Sequence, residues 1–166
     1  LTTDASTQDS AALNTHIETR FHRTYRDMLP ELAALALKVG RVHGDRPEAP
    51  HGLGALLRGL IGALEVHMKK EELILFPAIR RGGMSGIENP ILVMRADHDD
   101  HQSEVAQIRA LTQELTLPNA ACRSWTALYD GLAVFLNDLN ANIRLENDVL
   151  FPRFETTSLR GGNVAP

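Results

Sequence analysis

The chain has little of what most recognisable chemistries require. Cys122 is its one cysteine, so no intrachain disulfide and no thiolate cluster for zinc or an iron–sulfur centre is expected. Such usage suits a reducing compartment, and a cytoplasmic location is expected. Aromatic residues are only 5% of the chain, the formal net charge is −4, and there is no basic run. Nucleic acid is therefore not expected as a partner. No apolar run approaches the roughly 20 residues that a transmembrane helix needs, so no membrane partner is expected either. Leu1 to Ser10 is polar and lacks the apolar stretch of a secretory signal. The first residue is Leu rather than Met, as in a trimmed or fragmentary start. No segment alternates with the period of two that a half-buried strand shows. A nucleophile elbow and a Gly-rich phosphate loop are both missing, and Cys122 has no His near it in sequence, which disfavours a hydrolase.

What is present is helical periodicity. The chain's 166 residues, 43% of them hydrophobic, suffice for one domain with its own core. Leu13, Ile17, Phe21, Met28, Leu32, Leu35 and Val39 recur mostly at three- or four-residue steps, predicting a first helix from about Ser10 to Val42. Pro30 inside it predicts a kink or short break. The stretch from Gly44 to Gly54 reads as a loop. Leu56, Leu57, Leu60, Ile61, Leu64, Met68 and Leu75 mark a second helix, about Leu53 to Arg80, that Pro77 should bend or end. After a Gly-rich turn, a third helix is expected from about Pro90 to Leu115, and a fourth from about Ala120 to Phe154. Short connections between long helices imply antiparallel neighbours, hence an all-α, up-down-up-down four-helix bundle over residues 10–155. Residues 1–9 are expected to be disordered or frayed, and 156–166 to form a flexible tail.

An internal repeat carries the chemistry. His67-Met-Lys-Lys-Glu71-Glu-Leu-Ile-Leu75-Phe76-Pro77 aligns without a gap on Asn142-Ile-Arg-Leu-Glu146-Asn-Asp-Val-Leu150-Phe151-Pro152, at a constant offset of 75. The second and fourth helices are thus pseudo-equivalent. His and Glu four residues apart share a helix face, so an imidazole nitrogen and a carboxylate oxygen converge on one point. Imidazole plus carboxylate suits iron, manganese or zinc. Two such helices facing each other supply two carboxylates, Glu71 and Glu146, each able to bridge two ions. The bland alternative for a single His-x3-Glu is a surface pair; two copies in register argue against it.

Candidates on the other helices are His22, which follows Phe21 inside the apolar period, and His98, which lies 76 residues further on. His101 is three residues after His98 and shares its face, although its acidic surroundings favour an exposed position; it is a candidate extra ligand. His43 lies 21 residues beyond His22, about 30 Å along a continuous helix. His16 is turned roughly 120° from the face of His22, and His51 is in a loop. These three are left out of the metal set.

Nearly the whole chain after about residue 13 resembles the hemerythrin-like domain of the repair-of-iron-centres (RIC) family. The resemblance rests on Arg20-Phe-His22, Leu29-Pro-Glu-Leu32, Val39 to Pro47, His67 to Pro77, Met94 to Asp99, Pro118 to Tyr129 with Cys122 and Trp125, and Leu145 to Arg153. It is closer than to generic hemerythrin, whose third helix carries His at i and i+4. The resemblance implies an oxo- or hydroxo-bridged di-iron centre, with His22, His67 and His98 as terminal ligands and Glu71 and Glu146 as bridges. It implies protection or repair of iron–sulfur clusters damaged by nitric oxide or peroxide, through iron donation or nitric oxide reduction. Nitric oxide or oxygen, and damaged iron–sulfur proteins, would be the partners. The alternatives are an oxygen or nitric oxide sensor or scavenger without turnover, and a bundle that has lost its metal. The family's fourth His falls at Asn142, and the repeat independently places Asn142 where His67 stands. An amide oxygen is a weak ligand, so the iron position paired with His22 is expected to be weak, open or empty. The sequence also holds no counterpart of the small N-terminal domain that many members carry.

Overall fold

The computed structural model describes residues 4–155; the expected tail at 156–166 lies outside the described residues. Four long helical arms form: α1 (residues 10–43), α2 (residues 53–80), α3 (Glu88–Leu111) and α4 (residues 123–150). The connections span 44–52, 81–87 and 112–122, too short for anything but antiparallel succession. The all-α bundle expected from periodicity is what forms, and the described residues include no strand. No helix among them is long and apolar enough to cross a membrane.

Local chemistry sets the ends of the arms. Asp9 accepts the amide of Ala12 at 2.8 Å, which caps α1. Gly52 precedes α2 at φ 82°, a left-handed conformation that favours glycine. The third arm stops at Leu111, short of the expected Leu115, because Gln113, Glu114 and Leu115 all take positive φ. Residues 4–9, expected to be frayed, include a 3-10 turn at Ala5–Thr7. Arg153 holds it by donating to the carbonyls of Gln8 at 2.7 Å and Ser6 at 3.2 Å.

Neither proline interrupts its helix. Helix runs unbroken from Arg23 to His43 through Pro30. Pro30 and Arg26, whose carbonyl loses its donor, are both exposed, so the missing bond falls on the solvent face of the helix. Pro77 does not end α2, which continues to Arg80. It follows a π turn over Glu71–Leu75, in which the amide of Phe76 reaches back five residues to the carbonyl of Glu71. Pro152 follows the equivalent π turn over Leu145–Leu150, where Phe151 donates to the carbonyl of Glu146. A third π turn, Ile17–His22, lies in α1. Three of the four arms therefore widen at the level of the candidate ligands, as π turns often do at functional sites.

The core runs the length of the bundle and is apolar on either side of this level. Trp125, Phe76, Phe135 and Phe151 are its largest wholly buried side chains. Phe135 meets Tyr25 edge-on, with ring centroids 5.6 Å apart, and ties α4 to α1. Truncating Phe135 to Ala should cost about 3–5 kcal/mol of stability. The denaturant midpoint of the metal-free protein measures this, with the unfolding slope unchanged.

Candidate metal centre

The π turns and the 3.6-residue period bring His22, His67, Glu71, His98, Asn142 and Glu146 into one buried layer. Glu71 and Glu146 are 0% exposed. The carboxylate of Glu71 lies between two imidazoles: Oε2 is 3.1 Å from His22 Nε2, and Oε1 is 3.3 Å from His67 Nε2. Glu146 Oε2 is 3.0 Å from His98 Nε2. Its Oε1 accepts from the side-chain amide of Asn142. Each carboxylate thus turns one oxygen toward the His67–His98 side and the other toward the His22–Asn142 side. On the first side, His67, Glu71, His98 and Glu146 each offer an atom, all within 4.8 Å of one another.

The outward nitrogens explain why the inward ones are available. His22 Nδ1 donates to Glu72 at 2.8 Å, His67 Nδ1 to Asp97 at 3.0 Å, and His98 Nδ1 to the Asn147 side-chain oxygen at 2.8 Å. These partners accept only, so Nδ1 carries the proton. In a neutral ring Nε2 is then a lone pair facing the centre, the arrangement that metal-ligating histidines use. Arg26 holds Glu72 at 2.8 Å and Lys70 holds Asp97 at 3.0 Å, which keeps those acceptors ionised.

Reading the sequence for ligands missed these supports, although the repeat contained part of the signal. Glu72 and Asn147 are related by the same offset as Glu71 and Glu146, and each backs the His of the preceding arm. So do the two phenylalanines. Phe76 stacks on His22 at 6.0 Å and 9°, and Phe151 stacks on His98 at 5.9 Å and 7°. The symmetry fails once. His67 is backed by Asp97, but the corresponding positions are Asn142 and Phe21, so both the imidazole and its supporting carboxylate are replaced.

The donor set fits a cation. Both oxygens of Glu71, Glu146 Oε2, Asn142 Oδ1 and His98 Nε2 are buried without an aligned hydrogen bond. Such groups are costly unless a positive charge lies among them. Oxygen and imidazole donors without thiolate match iron, manganese or zinc. On the Asn142 side the amide hydrogen bond already satisfies one oxygen of Glu146.

His101 is buried rather than exposed. It completes the inward stripe of α3 with Ile91, Met94, His98 and Ile108, a spacing that outweighs its acidic neighbours. Its ring stands edge-on to His67 at 5.2 Å, but it is not one of the four converging residues. Burial, joined by the nearby His67 and His98, lowers its pKa. His16 and His51 lie outside the layer. At the far end of α1, His43 places Nε2 3.1 Å from Cys122 Sγ across 79 residues of sequence, a contact that sequence proximity did not reveal.

Electrostatics of the metal-free layer follow from its two buried acids. Burial alone would lower the imidazoles, but Glu71 raises His22 and Glu146 raises His98. His67 is pushed up to about 9, the pull of Glu71 outweighing burial. Burial would raise Glu71, but His67 and His22 draw it below the carboxylate range. Burial and the neighbouring charge of Glu71 raise Glu146. A histidine raised in the fold stabilises it fully below the unfolded value of 6.5 and loses that contribution as pH rises through the folded value. The metal-free protein should therefore lose stability between about pH 6.5 and pH 9. Denaturant titration across that window measures it, and His67→Gln should flatten the fall.

Comparison with known proteins agrees with this geometry. The hemerythrin HHE cation binding domain matches residues 13–154. The iron-sulfur cluster repair protein YtfE of Yersinia pseudotuberculosis serotype O:1b (strain IP 31758) is 46% identical over 158 residues, 95% of this chain and 70% of its own length. Its counterpart in Yersinia pestis (strain Pestoides F) is 45% identical over the same shares. The chain belongs to the hemerythrin HHE family and, within it, to the repair-of-iron-centres proteins.

Proposed function

We propose that the chain is a non-haem di-iron protein that serves the repair of damaged iron–sulfur clusters by giving up iron from an unequal pair of positions. The relatives' name, iron-sulfur cluster repair protein, supports the biological setting. The observation that carries the iron-donating reading is the broken symmetry at Asn142. His67 and His98 would hold one iron, with His22 and Asn142 at the other and Glu71 and Glu146 bridging. Iron bound there would supply a Lewis-acidic, redox-active position open to nitric oxide or oxygen.

The residues then divide the work. Asp97 and Asn147 fix His67 and His98, so the first position is rigid and imidazole-rich. His22 is equally well fixed by Glu72, but its partner Asn142 offers only a neutral amide oxygen with no support behind it. Rotation of that amide restores its hydrogen bond to Glu146, which competes directly with metal. An ion leaving this side therefore leaves behind a satisfied Glu146 oxygen rather than a bare one, and that lowers the barrier to release. Loading must also displace the proton that His67 carries at neutral pH in the metal-free state.

The test is the number and exchange of irons after anaerobic reconstitution. The expected result is two pools released to a ferrous chelator, one fast and one slow. Asn142→His should convert the fast pool to a slow one, its release slowed about 10- to 100-fold. A metal count below about one iron per chain would sink the proposal. Mössbauer-labelled iron in the fast pool should appear in a nitric-oxide-damaged [4Fe–4S] protein mixed with it. Transfer at the rate of free ferrous ion would instead remove the donor role.

A further inference from the structure

Beside the metal layer, on the outer surface between α2 and α3, is a pocket of about 380 Å³. Its walls include Gly62 and Ala63 from α2, and Asp97, Asp100, His101 and Glu104 from α3. The two small residues keep it open; a Cβ on Gly62 would meet nothing within 4 Å. Three carboxylates face it against one ammonium, that of Lys70, which is already engaged with Asp97 at 3.0 Å. The mouth is thus suited to a cation.

His101 is the feature that gives this acidic pocket a direction. The residue is 3% exposed, yet it lines the pocket. Its Nδ1 donates to Glu104 in the pocket wall at 3.2 Å. The other nitrogen, Nε2, is buried and has no partner. The ring stands edge-on to His67 at 5.2 Å. His101 thus stands between the carboxylate-lined pocket and His67, with one nitrogen anchored in the pocket wall and the other buried and unpartnered. Nothing in the resting layer uses it.

We propose that His101 is a transfer ligand, through which ferrous ion passes between the acidic pocket and the His67–His98 position. The physical case is one of stepwise exchange. A hydrated divalent ion cannot shed all its waters before the buried ligands receive it, because a bare charge in the core is prohibitively costly. Asp100 and Glu104 would take it first from solvent. The Nε2 lone pair of His101 would then replace a water while the inner imidazoles and carboxylates close around the ion. Release runs the same steps backwards. No bond to carbon is made or broken and no electron moves; each step exchanges a water for a protein ligand. This inference rests on the di-iron reading above.

The experiment compares wild type with His101→Phe, which keeps an aromatic ring against His67 and removes both ring nitrogens, and with them the bond to Glu104. Metal-free protein is mixed anaerobically with ferrous ion, and bound iron is counted against time and at equilibrium. Release to a chelator is followed separately. The expected result is an unchanged equilibrium count, with loading and slow-pool release both retarded about tenfold. Wild-type rates in His101→Phe would overturn the proposal and leave His101 as packing. A lower equilibrium count with unaltered rates would make it a resident ligand and overturn the transfer role. Should His101→Phe not fold, the surface variant Asp100→Asn with Glu104→Gln must slow loading, and wild-type loading there overturns the proposal. A wild-type chain that binds no iron at all removes the di-iron reading itself, and the wild-type count alone identifies that failure.

Discussion

Two carboxylates buried face to face in an apolar bundle dominate this structure. Glu71 and Glu146 have no access to water, and each raises the cost of ionising the other. Without compensation they would protonate or the layer would swell with solvent. The surrounding side chains can be read as compensation. Three imidazoles turn their inner nitrogens on the pair, and their outer nitrogens are anchored by Glu72, Asp97 and Asn147. Even so, several oxygens remain without an aligned partner, and the residual demand for positive charge is what suits the layer to cations.

Backbone geometry serves the same constraint. Glu71 and Glu146 keep the i,i+4 relation to His67 and Asn142 that a regular helix gives, and the backbone departs from it at these residues. Each begins or sits within a π turn, with its own carbonyl accepting from five residues ahead. The proline that follows each Leu-Phe pair cannot donate to a regular turn, so the wider turn loses less there than elsewhere. The phenylalanine between them packs flat on the histidine of the preceding arm. One short repeated segment therefore supplies the bridge, the backbone distortion, the ring packing and a second-layer hydrogen bond.

The departure from symmetry is as informative as the symmetry. Where the His67–Asp97 pair stands on one side, Asn142 and Phe21 stand on the other. The imidazole and the carboxylate behind it are therefore both found on one side of the layer and not on the other. Among the described residues the Asn142 side has no further buried histidine, whereas the opposite side has an additional buried imidazole, His101, near the acidic pocket. The asymmetry thus extends from the layer to its approaches.

The helical fold, its four arms and the side chains of the buried layer were legible in the sequence because helical period, internal repeat and His–Glu spacing are local properties. The asymmetry at Asn142 was legible for the same reason, since the repeat aligned it with His67. The fate of Pro30 was not, because it depends on which face of α1 meets water. Nor was the burial of His101, where acidic neighbours pointed outward while the stripe of α3 pointed inward, and packing decided between them. The supports Glu72, Asp97 and Asn147, and the meeting of His43 with Cys122, join residues 30 to 79 apart. Sequence by itself determined which imidazoles and carboxylates this protein has on its helix faces, and that Asn142 stands where the repeat has a histidine. Only the tertiary structure decided which nitrogen of each histidine is anchored and which faces the buried carboxylates, because those depend on contacts between arms that no local pattern encodes.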